Sequence, residues 1–352
     1  MASSPFPAGD QASTQYSRLL KLRWLLMAVF VAVILLSLVA DFMLGPSGLS
    51  WSELMRTLFS PDQAEPTTSV IVWDVRLPYA VMAVVVGLGL GLAGAEMQTI
   101  LANPLASPFT LGISSAAAFG ASLALVLDLS LPWLPAEWAV AGNAFVFAIL
   151  SALLLDVLAR WGGMSGSGMV LVGIALVFTF NALVSLMQFI ASAEDLQNLV
   201  FWTMGSLSRA TWPKVGGMLL AFAVILPLCL KDAWKLTALR LGEDRAISFG
   251  IDVKRQRLVS LLRISFLAAL AVSMVGTISF IGLIAPHIAR RLFGEDHRFY
   301  LPGSALIGAM ILSLASIASK NIVEGVIVPV GIVTSLVGVP FFVSVVMRRR
   351  AG

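Results

Sequence analysis

The sequence offers few side chains that could do chemistry inside its long apolar segments. Glu96, Gln98 and Asn181 are polar residues flanked on both sides by apolar stretches. If these segments cross a membrane, such residues are costly, so they become candidates for lining a transport pathway, with a hydrogen bond between helices as the competing role. Asp156 has a simpler explanation, because Arg160 lies one helical turn later and predicts an ion pair on a helix surface.

A serine nucleophile would be a different chemistry. The sequence Gly163-Met164-Ser165-Gly166 matches the G-x-S-G pattern of intramembrane serine proteases, and His287 lies in a later apolar segment. Ser165 follows Arg160 closely, which places it near a membrane surface, and no acidic residue accompanies His287 in its local motif. A structural role for His287 is favoured, and proteolysis stays an alternative that Ser165→Ala would test.

The sequence has few residues that could bind a nucleotide or a metal ion. The dipeptide Gly-Lys does not occur, so there is no P-loop, and the two histidines and the single cysteine are widely separated. Cys229 lies in an apolar run and is best explained as a small buried side chain. An ion-coupled transporter would need a chain of carboxylates or histidines through its spans, and Glu96 is nearly alone. We expect no catalytic residue, no metal and no cofactor in this chain.

The elements that carry these residues are membrane-spanning helices. Hydrophobic residues make up 59% of the 352 residues and charged residues only 12%, with a mean hydropathy of +0.94, which is outside the range of soluble globular proteins. Residues 264–289 and 325–347 contain no Asp, Glu, Lys or Arg. Each run is longer than the roughly 20 residues that cross a hydrocarbon core as a helix.

Ten helical spans account for the apolar segments of this all-α polytopic chain. They cover residues 25–44, 77–98, 109–130, 138–159, 168–191, 214–231, 258–277, 279–293, 301–319 and 326–347. No cleavable signal is recognisable, so we expect the first span to be retained. The chain then divides into a cytoplasmic N-terminal segment at 1–24, one transmembrane domain at 25–347 and a cytoplasmic tail at 348–352.

The distribution of basic residues predicts the orientation. With both termini in the cytoplasm, 18 of the 23 lysines and arginines fall in inner segments, as the positive-inside rule requires. This sidedness explains the isoelectric point near 9.5, so nucleic acid is not expected as a partner. The outer exceptions are Arg56, Arg76, Arg209, Lys214 and Lys320.

Two connections are too long for simple turns. The outer one, residues 45–74, has apolar residues at helical spacing between 49 and 59 and predicts a short surface helix. The inner one, residues 231–257, carries most of the cytoplasmic charge. Glycines inside the second span predict close packing of helix backbones. These glycines are Gly87, Gly89, Gly91 and Gly94.

An ordered series of motifs runs through nearly the whole chain, from Trp24 to Arg350. The series contains Arg76-Leu77-Pro78, Gly94-Ala95 with Gln98, Asn103-Pro104-Leu105-Ala106, Leu241-Gly242-Glu243 with Ala246 and Gly250, Phe280-Ile281-Gly282-Leu283, Pro286-His287, Asp296-His297-Arg298, Pro329-Val330-Gly331 and Gly338-Val339-Pro340-Phe341-Phe342. In this order the chain resembles the type II ABC importer permeases, often called the FecCD or cobalamin-permease family. No single motif is specific, whereas the whole series is.

The resemblance implies a ten-span permease that pairs with a second permease subunit, identical or homologous. Two cytoplasmic ATPase subunits would bind ATP and Mg, and a periplasmic or surface-anchored binding protein would deliver the substrate. The chain itself would lie in the lipid of the cell inner membrane without catalytic activity. Ferric siderophores are the expected cargo because iron chelates are the commonest in this family, with cobalamin or haem as the alternative.

The same resemblance assigns roles to the inner connection and to two inner loops. Residues 232–257 would contain short coupling helices that dock into the ATPase, with Gly242 allowing the break between helices. Movement of this segment on ATP binding would switch a cytoplasmic gate. The implied coupling residues are Leu241, Gly242, Glu243, Asp244, Ala246 and Gly250. The implied gate residues are Asn103, Pro104, Leu105, Ser165, Gly166 and Ser167.

Docking of the binding protein is implied for Arg76 and Lys320 on the outer side. Where the family has Arg-x-x-Arg, this chain keeps Arg76 and has Tyr79, and the family's Asp-x-x-x-Arg element runs here from Ser316 to Lys320. Both cations could pair with glutamates of the binding protein, although lysine cannot make the planar bidentate contact of arginine. The alternative is that both are interfacial anchors.

Overall fold

The computed structural model describes residues 9–45, 48–164 and 166–350. Within these ranges the regular structure is helical, apart from one isolated bridge between Val323 and Val326. The α-helices are α1 Gly9–Met43, α2 Trp51–Phe59, α3 Pro66–Val70, α4 Leu77–Ile100, α5 Ile113–Leu127, α6 Ala139–Trp161, α7 Gly166–Ile190, α8 Ala193–Thr203, α9 Trp212–Lys231, α10 Ala233–Leu239, α11 Glu243–Ser248, α12 Val253–Val275, α13 Ile281–Phe293, α14 His297–Asn321 and α15 Val330–Arg350.

Each of the ten predicted spans coincides with one of these helices. Seven helical stretches in the described ranges are long and apolar enough to cross a membrane. The predicted spans at 109–130, 279–293 and 326–347 fall on α5, α13 and α15, which are shorter or less apolar. The all-helical membrane fold is confirmed, while the number of crossings and the cytoplasmic position of both termini stay predictions.

Helix α4 lies at the centre of the bundle, and its glycines allow neighbouring helices to approach it closely. It packs against α14, α13, α12 and α9. A Cβ atom at Gly87 or Gly91 would overlap backbone atoms of α14, and one at Gly94 would overlap the Gly282 carbonyl of α13. Because hydrogen is the only side chain that fits at these crossings, the helix backbones touch directly. The close packing predicted from the glycines is confirmed.

Helix α7 has the opposite character, because most of its apolar surface is uncovered. Leu171, Phe178 and Phe189 are each more than two-thirds exposed. In a soluble protein such a stripe would be unstable, whereas lipid or a second membrane subunit can cover it.

The outer connection forms the predicted surface helix, α2. Ser50 caps it, accepting a hydrogen bond from the Glu53 amide, and the Glu53 carboxylate accepts one from the Ser50 amide in return. The Ser50 hydroxyl also donates to this carboxylate, and the hydrogen bonds from the hydroxyl and the amide of Ser50 lower the pKa of Glu53 below its ordinary value. Leu54 anchors the helix in a small apolar cluster with Phe42 and Val72. A π-helical segment, Ile71–Arg76, then leads directly into α4.

Candidate coupling and gating site

The inner connection contains two short helices, α10 and α11, which we call the coupling segment (residues 232–251). Gly242 separates them with a φ of +110°, and Gly250 ends the second with a φ of +80°. L-residues with side chains rarely adopt these conformations, so both glycines are required for the turns. Ala246 is fully buried and anchors α11 against the bundle. The chain break predicted at Gly242 is therefore present.

The coupling segment presents apolar side chains away from the bundle. Leu241, Ile247 and Phe249 are each more than half exposed, and Trp234 is 63% exposed. Trp234 and Phe249 lie side by side, with ring centroids 6.1 Å apart, at the mouth of a cavity of about 590 Å³. Exposed apolar residues of this size beside charged ones are typical of a protein-docking surface.

The two acidic residues of the coupling motif are placed differently from each other. Glu243 forms an ion pair with Arg257 of α12. Asp244 is exposed at the start of α11. Upstream, Asp232 contacts Lys235 at 2.8 Å and Arg263 at 2.9 Å. Burial raises the pKa of Asp232, but the hydrogen bonds from Lys235 and Arg263 outweigh burial and lower that pKa overall.

The first predicted gate loop follows α4 directly. The Asn103 side chain accepts a hydrogen bond from the Leu105 amide at 2.9 Å, which closes a tight turn around Pro104. The Asn103 amide donates to the Gln98 carbonyl at 3.1 Å, so the turn is fixed to the end of α4. Leu105 is 37% exposed and lines an apolar cavity of about 370 Å³ with Phe280 of the α12–α13 connection.

The second predicted gate loop lies beside the end of α4, two residues before the first loop. Gly166, at the start of α7, lies against the backbone of Leu101, where a Cβ would come within 2.6 Å of the carbonyl oxygen. Ser167 is exposed, and Ser165 lies outside the described residues. The described part of the second segment thus contacts the residue that leads into the first, and the gating role of both stays a prediction.

Glu96 makes the contacts between helices that the sequence offered as the alternative to a pathway role. It is 1% exposed and accepts hydrogen bonds from Arg263 at 2.5 Å, from Ser260 at 2.6 Å and from the Cys229 thiol at 3.0 Å. The charge pattern predicts Arg263 only as an inner basic residue, but α12 carries it into the bundle, where its side chain is 8% exposed. Cys229 is fully buried, as expected.

Gln98 and Asn181 have different surroundings. Gln98 donates to the Leu283 carbonyl at 3.4 Å and accepts from Arg290 at 3.3 Å, so it joins α4 to α13. Asn181 lies on the exposed face of α7, and the interhelical hydrogen bond favoured for it is not found among the described residues. The ion pair predicted between Asp156 and Arg160 is present at 2.9 Å.

The two residues predicted to dock the binding protein have buried side chains with partners inside this chain, and their docking role stays a prediction. Arg76 is 5% exposed and donates to the carbonyls of Phe42 and Met43. Lys320 has a side chain only 3% exposed, lies 3.1 Å from the Asp41 carboxylate and sits over the Tyr79 ring. Asp41 of α1, which no sequence motif pointed to, is the acidic partner of Lys320, in place of the aspartate that the family has at position 316.

The histidine of the protease hypothesis has an aromatic neighbour, whereas Ser165 lies outside the described residues. His287 packs its ring edge-on against Phe341 of α15, with centroids 5.9 Å apart. Within the described ranges, no three His, Cys, Asp or Glu residues are grouped closely enough to hold a metal ion.

Comparison with known proteins identifies the fold family. Residues 29–348 match the FecCD transport family. The chain belongs to that family. The hemin transport system permease HmuU of Yersinia pestis is 38% identical over 79% of this chain and 84% of its own length. The vitamin B12 import permease BtuC of Vibrio vulnificus is 38% identical over 79% of this chain and 82% of its own length.

A solved structure agrees with these relatives. A transporter assigned to the metal-chelate type of ABC transporter, in an inward-facing conformation, superposes with a TM-score of 0.80 at 29% identity, covering 92% of this chain and 99% of its own. This FecCD member is therefore a multi-pass membrane protein, and it is the transport permease of a type II ABC importer for an iron chelate, haem or cobalamin.

Proposed function

We propose that this permease carries a ferric siderophore inward across the cell inner membrane by alternating access, driven by separate ATPase subunits. The observation that supports the proposal best is the coupling segment. It exposes an apolar surface fit for a partner protein on one side and contacts the inner end of α4 on the other, directly before the Asn103–Leu105 turn. A membrane protein without a P-loop needs such a surface if another subunit supplies the energy.

The proposed assembly contains a second permease subunit, identical or homologous, with the exposed face of α7 as one surface for it or for lipid. Two ATPase subunits hold ATP and Mg, and a binding protein delivers the substrate from outside. Closure of the ATPase pair moves the coupling segment, and the gate at Asn103–Leu105 and 165–167 changes between open and closed states.

A ferric siderophore is proposed as the substrate because the structural match is to the metal-chelate type. The chelator would carry the iron, so a pathway of small and apolar side chains is sufficient. Haem and cobalamin are the competing substrates, since the relatives HmuU and BtuC are named for them.

Reconstitution tests the substrate. The permease complex in proteoliposomes, with its ATPase and binding protein, is offered radiolabelled ferric siderophore, haem or cobalamin in turn. ATP-dependent accumulation of the siderophore alone is the expected result. Accumulation of haem or cobalamin instead would contradict the substrate while leaving ATP-driven import intact.

A charge reversal tests the coupling segment. Changing Glu243 and Asp244 together to arginine should abolish copurification of the ATPase, because both residues start the exposed helix α11. Arg245→Glu at the neighbouring position is the matched control for a charge change in the same helix. Membrane insertion should be unchanged, as read by yield in the membrane fraction. Normal copurification of the double variant would show that these acids do not dock the ATPase.

A further inference from the structure

Three side chains that belong neither to the coupling segment nor to α4 lie between the two and contact both. Arg257 and Arg263 come from α12, and His297 comes from the start of α14. On α4 their contacts are confined to the last five residues, directly before the gate turn. The contacted residues are Glu96, Thr99 and Ile100.

Arg257 joins α11 to the end of α4 through a single guanidinium. One nitrogen, Nε, donates to the Ile100 carbonyl at 3.0 Å. Another, Nη2, donates to the Glu243 carboxylate. The Arg257 side chain is 17% exposed and the Glu243 side chain is 49% exposed, so the ion pair lies at the edge of the bundle. A guanidinium is planar and rigid, so a shift of α11 is passed to the α4 terminus without a flexible linker.

Arg263 makes the second connection, one turn of α4 further into the bundle. Its guanidinium donates to Glu96 at 2.5 Å and to Asp232 at 2.9 Å, where Asp232 begins the coupling segment. It also donates to the Leu228 carbonyl at 2.9 Å, which fixes it to the end of α9. Glu96 and Arg263 are both buried, so separating them would leave an uncompensated charge in the bundle. Because Arg263 also holds Asp232, α4 and the start of the coupling segment are expected to move together.

His297 makes the third connection with its two ring nitrogens. Nε2 lies 2.8 Å from the Thr99 hydroxyl, and Nδ1 lies 3.1 Å from the Thr237 hydroxyl of α10. The imidazole is fully buried. A rigid ring with polar atoms on opposite sides holds two helices at a fixed separation, much as Arg257 does.

We propose that Arg257, Arg263 and His297 are positioning residues that transmit movement of the coupling segment to the inner end of α4 and hence to the Asn103–Leu105 gate turn. The inference rests on the proposed ATP-driven function. It follows from geometry: three contacts converge on residues 96–100, and the gate turn is hydrogen-bonded to Gln98 within that stretch. The coupling segment cannot shift without either pulling this terminus or breaking all three contacts.

The test reads the gate directly and needs no substrate. Leu105→Cys, which is partly exposed, reports gate accessibility by its rate of maleimide labelling, and Cys229 is fully buried. The permease–ATPase complex is labelled with and without a non-hydrolysable ATP analogue and Mg. In the chain carrying only the reporter, nucleotide should change the labelling rate. Adding Arg257→Gln or Thr99→Val should reduce that nucleotide effect by roughly two- to thirtyfold.

Matched controls separate transmission from stability. Arg255→Gln changes an exposed arginine on the same turn of α12, and Thr179→Val removes a hydroxyl that bonds only within α7. Neither control should alter the nucleotide effect, and all variants should retain the ATPase and their unfolding midpoint. An undiminished effect in both Arg257→Gln and Thr99→Val overturns the connection. Lack of ATPase binding by the reporter chain itself would instead overturn the proposed function.

Discussion

The two ends of α4 are both held by charged side chains, but the clusters differ in what they connect. At the outer end, Lys320 and Asp41 join α14 to α1, and Arg76 binds the end of α1 through backbone carbonyls. All of these are long helices of the same bundle. At the inner end, Arg257 joins α4 to the exposed helix α11, and Arg263 joins α4 to Asp232 at the start of the half-buried helix α10. The outer cluster therefore fastens the bundle, while the inner one connects it to a surface available to a partner.

The difference shows that a buried charge does not by itself reveal a role. Lys320 and Arg263 are similarly enclosed and each faces a carboxylate. The partners of Lys320 lie within the bundle, so substituting Lys320 should lower the stability of the fold. Arg263 also contacts Asp232 of the coupling segment, so substitutions among its neighbours should affect the transmission of movement to the gate turn as well. Substitutions at the two ends can separate these effects.

The largest effect is expected at the outer end. Lys320→Met leaves Asp41, which is fully buried, without its cation, and this should cost about 3–5 kcal/mol of unfolding free energy because an isolated buried charge is strongly unfavourable. The measurement is the thermal unfolding midpoint in detergent. Lys254→Met, at an exposed lysine, is the control.

The same variant decides between fastening and docking. Adding Asp41→Asn to Lys320→Met should recover part of the midpoint, since the uncompensated carboxylate is removed. A normal midpoint for Lys320→Met combined with loss of binding-protein stimulation would favour the docking role that the sequence predicted for Lys320.

A smaller loss of stability is expected from a substitution within α4, at its close contact with α13. Gly94→Ala should destabilise the bundle by about 1–3 kcal/mol because the new methyl group overlaps the Gly282 carbonyl and forces α13 away. Gly216→Ala in α9 meets no atom within 4 Å and should be neutral or slightly stabilising. Equal unfolding midpoints for the two alanine variants would show that α4 and α13 can separate freely.

Most of the fold was predictable because membrane helices reveal themselves in long uncharged runs. All ten predicted spans fall on helices, and the surface helix α2 and the break at Gly242 are present. Apolar length is a local property of the sequence. The position of each span against its neighbours is not local, which is why the glycines predicted close packing without saying that Gly94 would meet Gly282.

The polar contacts were the part that sequence reasoning missed. Asp41 lies 279 positions before Lys320 and Glu96 lies 167 before Arg263, so no spacing rule could pair them. Arg263 was counted with the inner charges because it follows a run of basic residues. One signal was available: a carboxylate inside an apolar span needs a cation, and Arg263, near the start of a predicted span, was a candidate.

The smallest effect is expected where the coupling segment meets water. Arg240 makes a bidentate contact with Glu295, at 2.9 and 3.0 Å, between α10 and the turn before α14. Because Glu295 is 45% exposed, Arg240→Gln should cost at most about 1 kcal/mol at neutral pH. Arg245→Gln, at an exposed arginine of α11, is the control.

This contribution should also depend on pH in a definite direction. Burial raises the pKa of Glu295, but the hydrogen bonds from Arg240 and the charges of Arg290 and Arg240 outweigh burial and lower the pKa below its ordinary value. A carboxylate with a lowered pKa stabilises the fold above its unfolded-state pKa, about 4.3, and loses that contribution as pH falls through the folded-state pKa. The difference in unfolding midpoint between the wild type and Arg240→Gln should therefore be constant from pH 6 to 8 and shrink below about pH 4. A difference that persists in acid would assign the effect to packing of the arginine stem rather than to the ion pair with Glu295.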